Sequence, residues 1–163
     1  MVYLNKKNMT LILSFGIIVI FLVTLFILNK NTGEWKDEEV IPIKINEIEI
    51  MAEVASSIIK KSDGLSGRES MDENKGMLFI FDSPQPLSFW MKGMNFPLDF
   101  IWINGNRVVD LTENVPADNG ATSIKPKVPA DKVLEVNSGI IKRSGIKEGD
   151  VIKIANRRLS KDN

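Results

Sequence analysis

Residues 76–111 read GMLFIFDSPQPLSFWMKGMNFPLDFIWINGNRVVDL, and the fold follows from how this stretch divides. It is dense in large apolar residues, but proline, glycine and a few charges break it into short pieces. Residues 77–81 form a continuous apolar run closed by Asp82-Ser83-Pro84-Gln85-Pro86, the pattern of a strand buried on both faces. Residues 87–91 read as a second strand, with Leu87, Phe89 and Met91 on one side and Ser88 and Trp90 on the other. Lys92-Gly93-Met94-Asn95 turns the chain. Pro97 then opens a strand at 98–103, where a missing N–H does little harm. One face of that strand carries Leu98, Phe100 and Trp102; the other carries Asp99, Ile101 and Ile103. Asn104-Gly105 predicts a tight type I′ turn into a strand at 106–111.

The flanking chain extends this pattern. Upstream, VIPIKI at 40–45 alternates and contains Pro42, which suits an edge strand. Asn46-Glu47 turns it into a partner at 48–54. SSIIKKSD at 56–63 predicts a short helix capped by Ser56 or Ser57 and ended by Gly64, followed by a polar loop over 64–76. Asp72-Glu73-Asn74 in that loop lacks the spacing of a calcium loop and is read as solvated. Downstream, 112–131 is a long polar connection with Pro116, Pro126 and Pro129. It is followed by a strand at 132–136, a short helix at 140–144 and a strand at 151–154. About eight short strands and few helices predict a mostly β domain, a small β sandwich or barrel with one or two short helices.

Residues 9–28, MTLILSFGIIVIFLVTLFIL, carry no charge. As a helix they would extend about 30 Å, the thickness of a bilayer's hydrocarbon core. The run is long for a signal peptide and has no small-residue cleavage pattern, so it reads as an uncleaved single transmembrane anchor. Lys6 and Lys7 precede it, which predicts a cytoplasmic N-terminus and an extracytoplasmic domain. The expected organisation is a cytoplasmic N-terminus at 1–8, an anchor at 9–28, a linker at 29–39, the β domain at 40–155 and a polar tail at 156–163.

Composition removes whole classes of chemistry. The chain has no cysteine and no histidine. Disulfides, thiol nucleophiles, Cys/His zinc sites and histidine-shuttled hydrolysis are therefore excluded. No metal site and no cofactor are expected. Lysine plus arginine equals aspartate plus glutamate at 21 each, but Lys6, Lys7 and Lys30 precede the first acidic residue, Glu34. The remainder is thus net acidic by three, and no nucleic-acid partner is expected.

Six ordered blocks carry a family resemblance. They are Gly64-Leu65…Arg68, Gly76-Met77-Leu78-Phe79-Ile80-Phe81, Phe89-Trp90-Met91-Lys92, Pro97-Leu98-Asp99, Val133-Leu134-Glu135…Gly139 and Gly149-Asp150-Val151. Over roughly residues 43–155 the chain resembles the domain of unknown function 192 family. The resemblance implies a small, mostly β domain, often exported or membrane-anchored, and implies no activity.

Asp99 is the sharpest anomaly, because a carboxylate in a strand apolar on both faces is unfavourable unless hydrogen-bonded or paired. It is expected to accept backbone N–H bonds at the Lys92–Asn95 turn or to pair with Arg68. The functional alternative gathers Arg68, Lys92, Asp99 and Glu135 around one cleft, with Asp82 a further candidate. Two carboxylates there could hydrolyse a glycosidic bond or bind a cation. Ser88 and Lys92 do not form a dyad, since four residues along a strand separate them by about 13 Å. Trp102 and Trp90 are read as core, and Phe96, in a turn before proline, as the aromatic most exposed.

The candidate ligand-binding residues are Arg68, Trp90, Lys92, Phe96, Asp99 and Glu135, with no catalytic residue assigned. The expected function is a non-catalytic binding or accessory module of the cell envelope. Its partners would be membrane lipid through residues 9–28 and an envelope glycan, a small ligand or a membrane protein. The alternative is a carboxylate-dependent hydrolase acting on envelope glycans.

Overall fold

The computed structural model describes residues 15–24 and 35–155, which fall into two compact units, Met1–Glu34 and Trp35–Asn163. In the first unit residues 15–24 are helical (α1), and the Thr24 hydroxyl donates to the Ile20 carbonyl at 2.7 Å. Among the described residues no helix is long and apolar enough to cross a membrane. The expected span at 9–28 extends beyond α1 on both sides, and its outer portions lie outside the described residues, as do 29–34 of the linker and the tail from 156.

The second unit is one seven-stranded mixed sheet. Its elements are β1 (Val40–Ile45), β2 (Ile48–Ala55), α2 (Ile58–Asp63), β3 (Lys75–Gln85), β4 (Leu98–Asn104), β5 (Arg107–Val115), β6 (Ala130–Asn137), α3 (Ile140–Ser144) and β7 (Ile152–Ile154). The strands are ordered β5-β4-β6-β3-β2-β1-β7. Only β2 and β3 run parallel; the connection carrying α2 makes that crossover, and every other pairing is antiparallel. The outer strands approach each other. Val108 N–H donates to the Asp150 carbonyl, Gly149 N–H to that of Val108, and Ile152 N–H to that of Asn106, at 2.8–2.9 Å. The sheet is therefore curled into a half-barrel, with its two ends stitched near β7.

Curling separates two apolar layers. The inner layer draws on all seven strands, including Ile43, Val54, Leu78, Ile101, Val108, Leu134 and Ile152, and Ile140 and Ile141 of α3 plug it. The outer layer covers β3, β4 and β6 with Met77, Phe79, Leu98, Phe100, Trp102 and Val133, and loop residues Leu65, Leu87, Met91 and Ile124 close over it. This explains why residues 77–81 and, apart from Asp99, 98–103 are apolar on both faces. The outer layer holds an aromatic cluster: Phe89 meets Phe79 and Trp102 edge-on at 5.0 and 5.6 Å, and Phe100 stacks on Trp102 at 5.8 Å. Each such ring, fully buried, contributes about 1.5–3 kcal/mol of transfer free energy.

Several expectations are corrected. The described domain has seven strands rather than eight, because 87–91 is not a ladder strand. Its side alternation holds, but its backbone contacts are a single bridge between Phe89 and Ile124, with the aromatic cluster anchoring it instead. β3 continues through Asp82 to Gln85. β1 is not an edge, since β7 pairs with its Ile43–Ile45 end, and Pro42 is tolerated because it lies just beyond that register. The β4–β5 hairpin turns one residue later, at Gly105-Asn106, and only Gly105 takes a positive φ, +61°, so it is not a type I′ turn. Residues 35–39 fold with the domain rather than acting as linker: Trp35 packs on the inner layer, and Glu39 N–H and Glu38 N–H bond to Lys36 and Val54 carbonyls.

Candidate functional site: a cleft over Glu135

Glu135 lies in β6 opposite Met77 of β3 and Phe100 of β4, on the outer layer with Val133. Both neighbours are fully buried and apolar. The Glu135 side chain is 5% exposed and has no hydrogen bond or ion pair among the described residues. Burial alone pushes its carboxyl up to about 8. The strand pair is held close above it: a Cβ on Gly76 would lie 2.6 Å from the Glu135 carbonyl oxygen, so only glycine fits there.

A cleft opens onto this carboxyl. One wall is the end of α2 and the turn after it, Lys61 to Ser66; the other is Trp90 and Met94, with Phe79 and Leu98 as apolar floor. The space it encloses is small, about 30 Å³. Trp90 is 53% exposed.

The α2 wall is fastened at both ends. Asp37 Oδ1 accepts from Ser56 N–H, Ser57 N–H and the Ser56 hydroxyl at 2.6, 3.0 and 2.9 Å, and the hydrogen bonds from Ser57 and Ser56 hold its carboxyl well below the usual range. Ser57 caps the helix through Lys60 N–H, as expected, and Gly64 ends it at φ +53°. Glu53 of β2 takes Lys60 Nζ at 2.6 Å and an Arg68 guanidinium nitrogen at 2.7 Å, tying helix and loop to one carboxylate. Burial pushes Glu53 up, but the bonds from Lys60 and Arg68 outweigh it and it titrates below the ordinary range. Ser66 Oγ donates to the Lys92 carbonyl, Gly67 N–H to that of Gly93, and Asn95 Nδ2 to that of Arg68, at 2.8–2.9 Å. These bonds join the two walls. Lys61 Nζ donates to the Ile80 carbonyl at 2.8 Å and sits 4.5 Å over the Phe81 ring, so its charge is engaged away from Glu135.

Of the six candidate residues, Glu135 and Trp90 line the cleft, and Trp90 is exposed rather than core. Arg68 serves Glu53, not Asp99. Lys92 is exposed and contributes its carbonyl to the wall. Phe96 is half-buried against the outer layer instead of free. Asp99 is fully buried on the opposite face, where it accepts Asn114 N–H at 2.8 Å and Ile141 N–H at 3.0 Å. It does bond backbone amides, but those of β5 and α3 rather than those of the 92–95 turn. The four-residue constellation of Arg68, Lys92, Asp99 and Glu135 does not assemble. Asp82 is exposed near the end of β3.

Sequence reasoning missed Glu53, which alternates with apolar neighbours and so reads as solvent-facing, and Asp110. Asp110 is 2% exposed and accepts Lys127 N–H at 2.7 Å and Lys127 Nζ at 2.9 Å. It also missed the Lys61–Ser66 wall, because a polar turn some seventy residues before Glu135 carries no local sign of where it packs. A second depression, between Lys44, Asn46, Asp150 and Lys153, contains a satisfied carboxylate: Asp150 accepts Asn46 Nδ2 and Lys147 N–H.

Residues 41–154 match the DUF192 family, described as Uncharacterized ACR, and the chain belongs to that family. Solved structures share the fold. A Sinorhizobium meliloti 1021 protein, provisionally described as a transcription regulator, aligns at 27% identity and a TM-score of 0.68, over 76% of this chain and 99% of its own. A protein of unknown function from Novosphingobium aromaticivorans DSM 12444 aligns at 26% identity and a TM-score of 0.66, over 76% and 96%. No curated protein matches the chain.

Proposed function

We propose that the domain is a non-catalytic binding module whose ligand site is the Glu135 cleft, held on the extracytoplasmic side of a membrane by residues 9–28. The observation that carries the reading is a nearly buried carboxyl with no partner among the described residues, open to a cleft walled by an exposed tryptophan. A protein retains such a group against its own stability where a ligand uses it. The cleft encloses about 30 Å³, well below the roughly 300–1,000 Å³ of ordinary ligand sites, which favours a small polar head group or the tip of a larger molecule over a glycan chain. The anchor is supported by the uncharged run and the lysines before it.

A paired-carboxylate hydrolase receives no support from the geometry, because Asp99 is satisfied and faces away from Glu135. The transcription-regulator description of the S. meliloti protein is not carried over either, since the part of this chain from Glu34 onward is net acidic.

The test is an NMR titration of the full chain in neutral detergent with three small probes: n-butanol, n-butyrate and n-butylammonium. Saturable movement of the Trp90 indole N–H resonance by any of them supports the cleft as a ligand site. No response to all three overturns it. External protease applied to intact cells should digest the domain, and full protection would overturn the orientation.

A further inference from the structure

Taking the cleft as the ligand site, we infer that its ligand class is a small primary ammonium, seated between the Glu135 carboxylate and the face of Trp90. The charge inventory points there. The charged side chains lining the cleft are Glu135, Asp63 and Lys61, and the Lys61 ammonium is already bonded to the Ile80 carbonyl and stacked over Phe81. Glu135 therefore opens to the cleft with no cation bonded to it among the described residues, and the exposed Asp63 adds negative charge to the lining. α2 ends at the cleft, which places the negative end of its backbone dipole there as well. Trp90 supplies the remaining element, an exposed aromatic face that attracts cations. Phe79 and Leu98 beneath are almost wholly buried, so the space takes the ammonium head while the alkyl chain runs out past Trp90 and Met94.

Every element around Glu135 is consistent with this selectivity. β3 and β4 contribute only Phe79 and Leu98 to the lining. The 90–94 segment contributes Trp90 and Met94, with Lys92 beside them and exposed, and Arg68 is held by Glu53. Burial keeps the empty Glu135 largely protonated near neutrality, since its carboxyl is pushed up to about 8. An arriving ammonium favours the carboxylate, so binding expels one proton from Glu135 to solvent, and affinity rises as pH climbs toward that value and levels off above it.

The experiment is the n-butylammonium titration repeated across pH, in wild type and in Glu135→Gln, with n-butanol as the uncharged comparison. Affinity for n-butylammonium should strengthen on the order of tenfold between about pH 6.5 and about pH 8.5, while n-butanol stays flat. Glu135→Gln keeps the shape and loses the charge. It should weaken n-butylammonium at least roughly tenfold, remove its pH dependence and leave n-butanol unchanged. The wild-type pH profile is read independently of the variant's folding. If n-butanol or n-butyrate binds as well as n-butylammonium, or the profile is flat, the ammonium assignment fails while the cleft stands. If no probe moves the Trp90 resonance, the cleft reading fails with it.

Discussion

Asp99 and Glu135 lie one register step apart on neighbouring strands, Asp99 opposite Val136 and Phe100 opposite Glu135, and their side chains leave opposite faces of the sheet. Two carboxylates that look like a pair along the sequence thus belong to separate layers. One is bonded to two backbone amides; the other is bonded to nothing among the described residues and opens to a cleft.

Asp99 should behave as a structural fastener. Asp99→Ala leaves Asn114 N–H and Ile141 N–H without their acceptor inside the barrel. It should cost about 2–4 kcal/mol, since each buried unsatisfied donor costs about 1–3 kcal/mol. Urea unfolding measures it, and the Trp90 resonance should respond to probes in the folded variant as in wild type. An unchanged midpoint would contradict this role.

Glu135 should behave in the opposite way. Replacing an unpartnered buried carboxyl with an apolar side chain of similar length, Glu135→Leu, should raise stability by about 1–3 kcal/mol while abolishing cation binding. A lower melting temperature would show instead that the carboxyl supports the fold.

The pH dependence of stability has a definite sign. The Glu135 carboxyl sits at about 8 when folded against an ordinary value of 4.5, so the folded state holds its proton longer than the unfolded chain. Its contribution therefore falls as pH rises from 4.5 to about 8 and is flat outside that window. Glu53 and Asp110 act in the other direction, since their carboxyls are depressed, and stability they supply is lost under acid. The difference between wild type and Glu135→Gln across pH, measured by chemical denaturation, isolates the first effect. A difference constant with pH would exclude the raised carboxyl.

The α2 wall should depend on Glu53. Glu53→Gln weakens the hold on both Lys60 and Arg68 and should cost on the order of 2 kcal/mol. Amide exchange should quicken over 58–68 before the strands open. Exchange rates unchanged over that segment would mean the ion pairs do not hold it.

Much of the architecture was legible along the chain. The alternation in 98–103, apolar at both parities, announced a strand buried on two sides, and the Ser57 and Gly64 ends of α2 announced a helix of the right length. The 87–91 segment shows the limit. Its alternation set the sides of Leu87, Phe89 and Met91 correctly, but period alone does not reveal whether a neighbouring strand offers a ladder, and here only Ile124 does.

The candidate site divides the same way. From residue types alone, Asp99 and Glu135 are equivalent: acids in strands apolar on both faces. Local sequence set their presence, their strands and which neighbours share each one's side, while the β4–β6 register decided that the two sides are opposite faces of the sheet. Only the tertiary structure decided which one is satisfied. The amides that hold Asp99 come from Asn114 and Ile141, 15 and 42 residues away, and the walls over Glu135 come from 61–66 and 90–94. A hydrogen bond depends on distance and direction in space, and the chain order does not encode those until the sheet has curled.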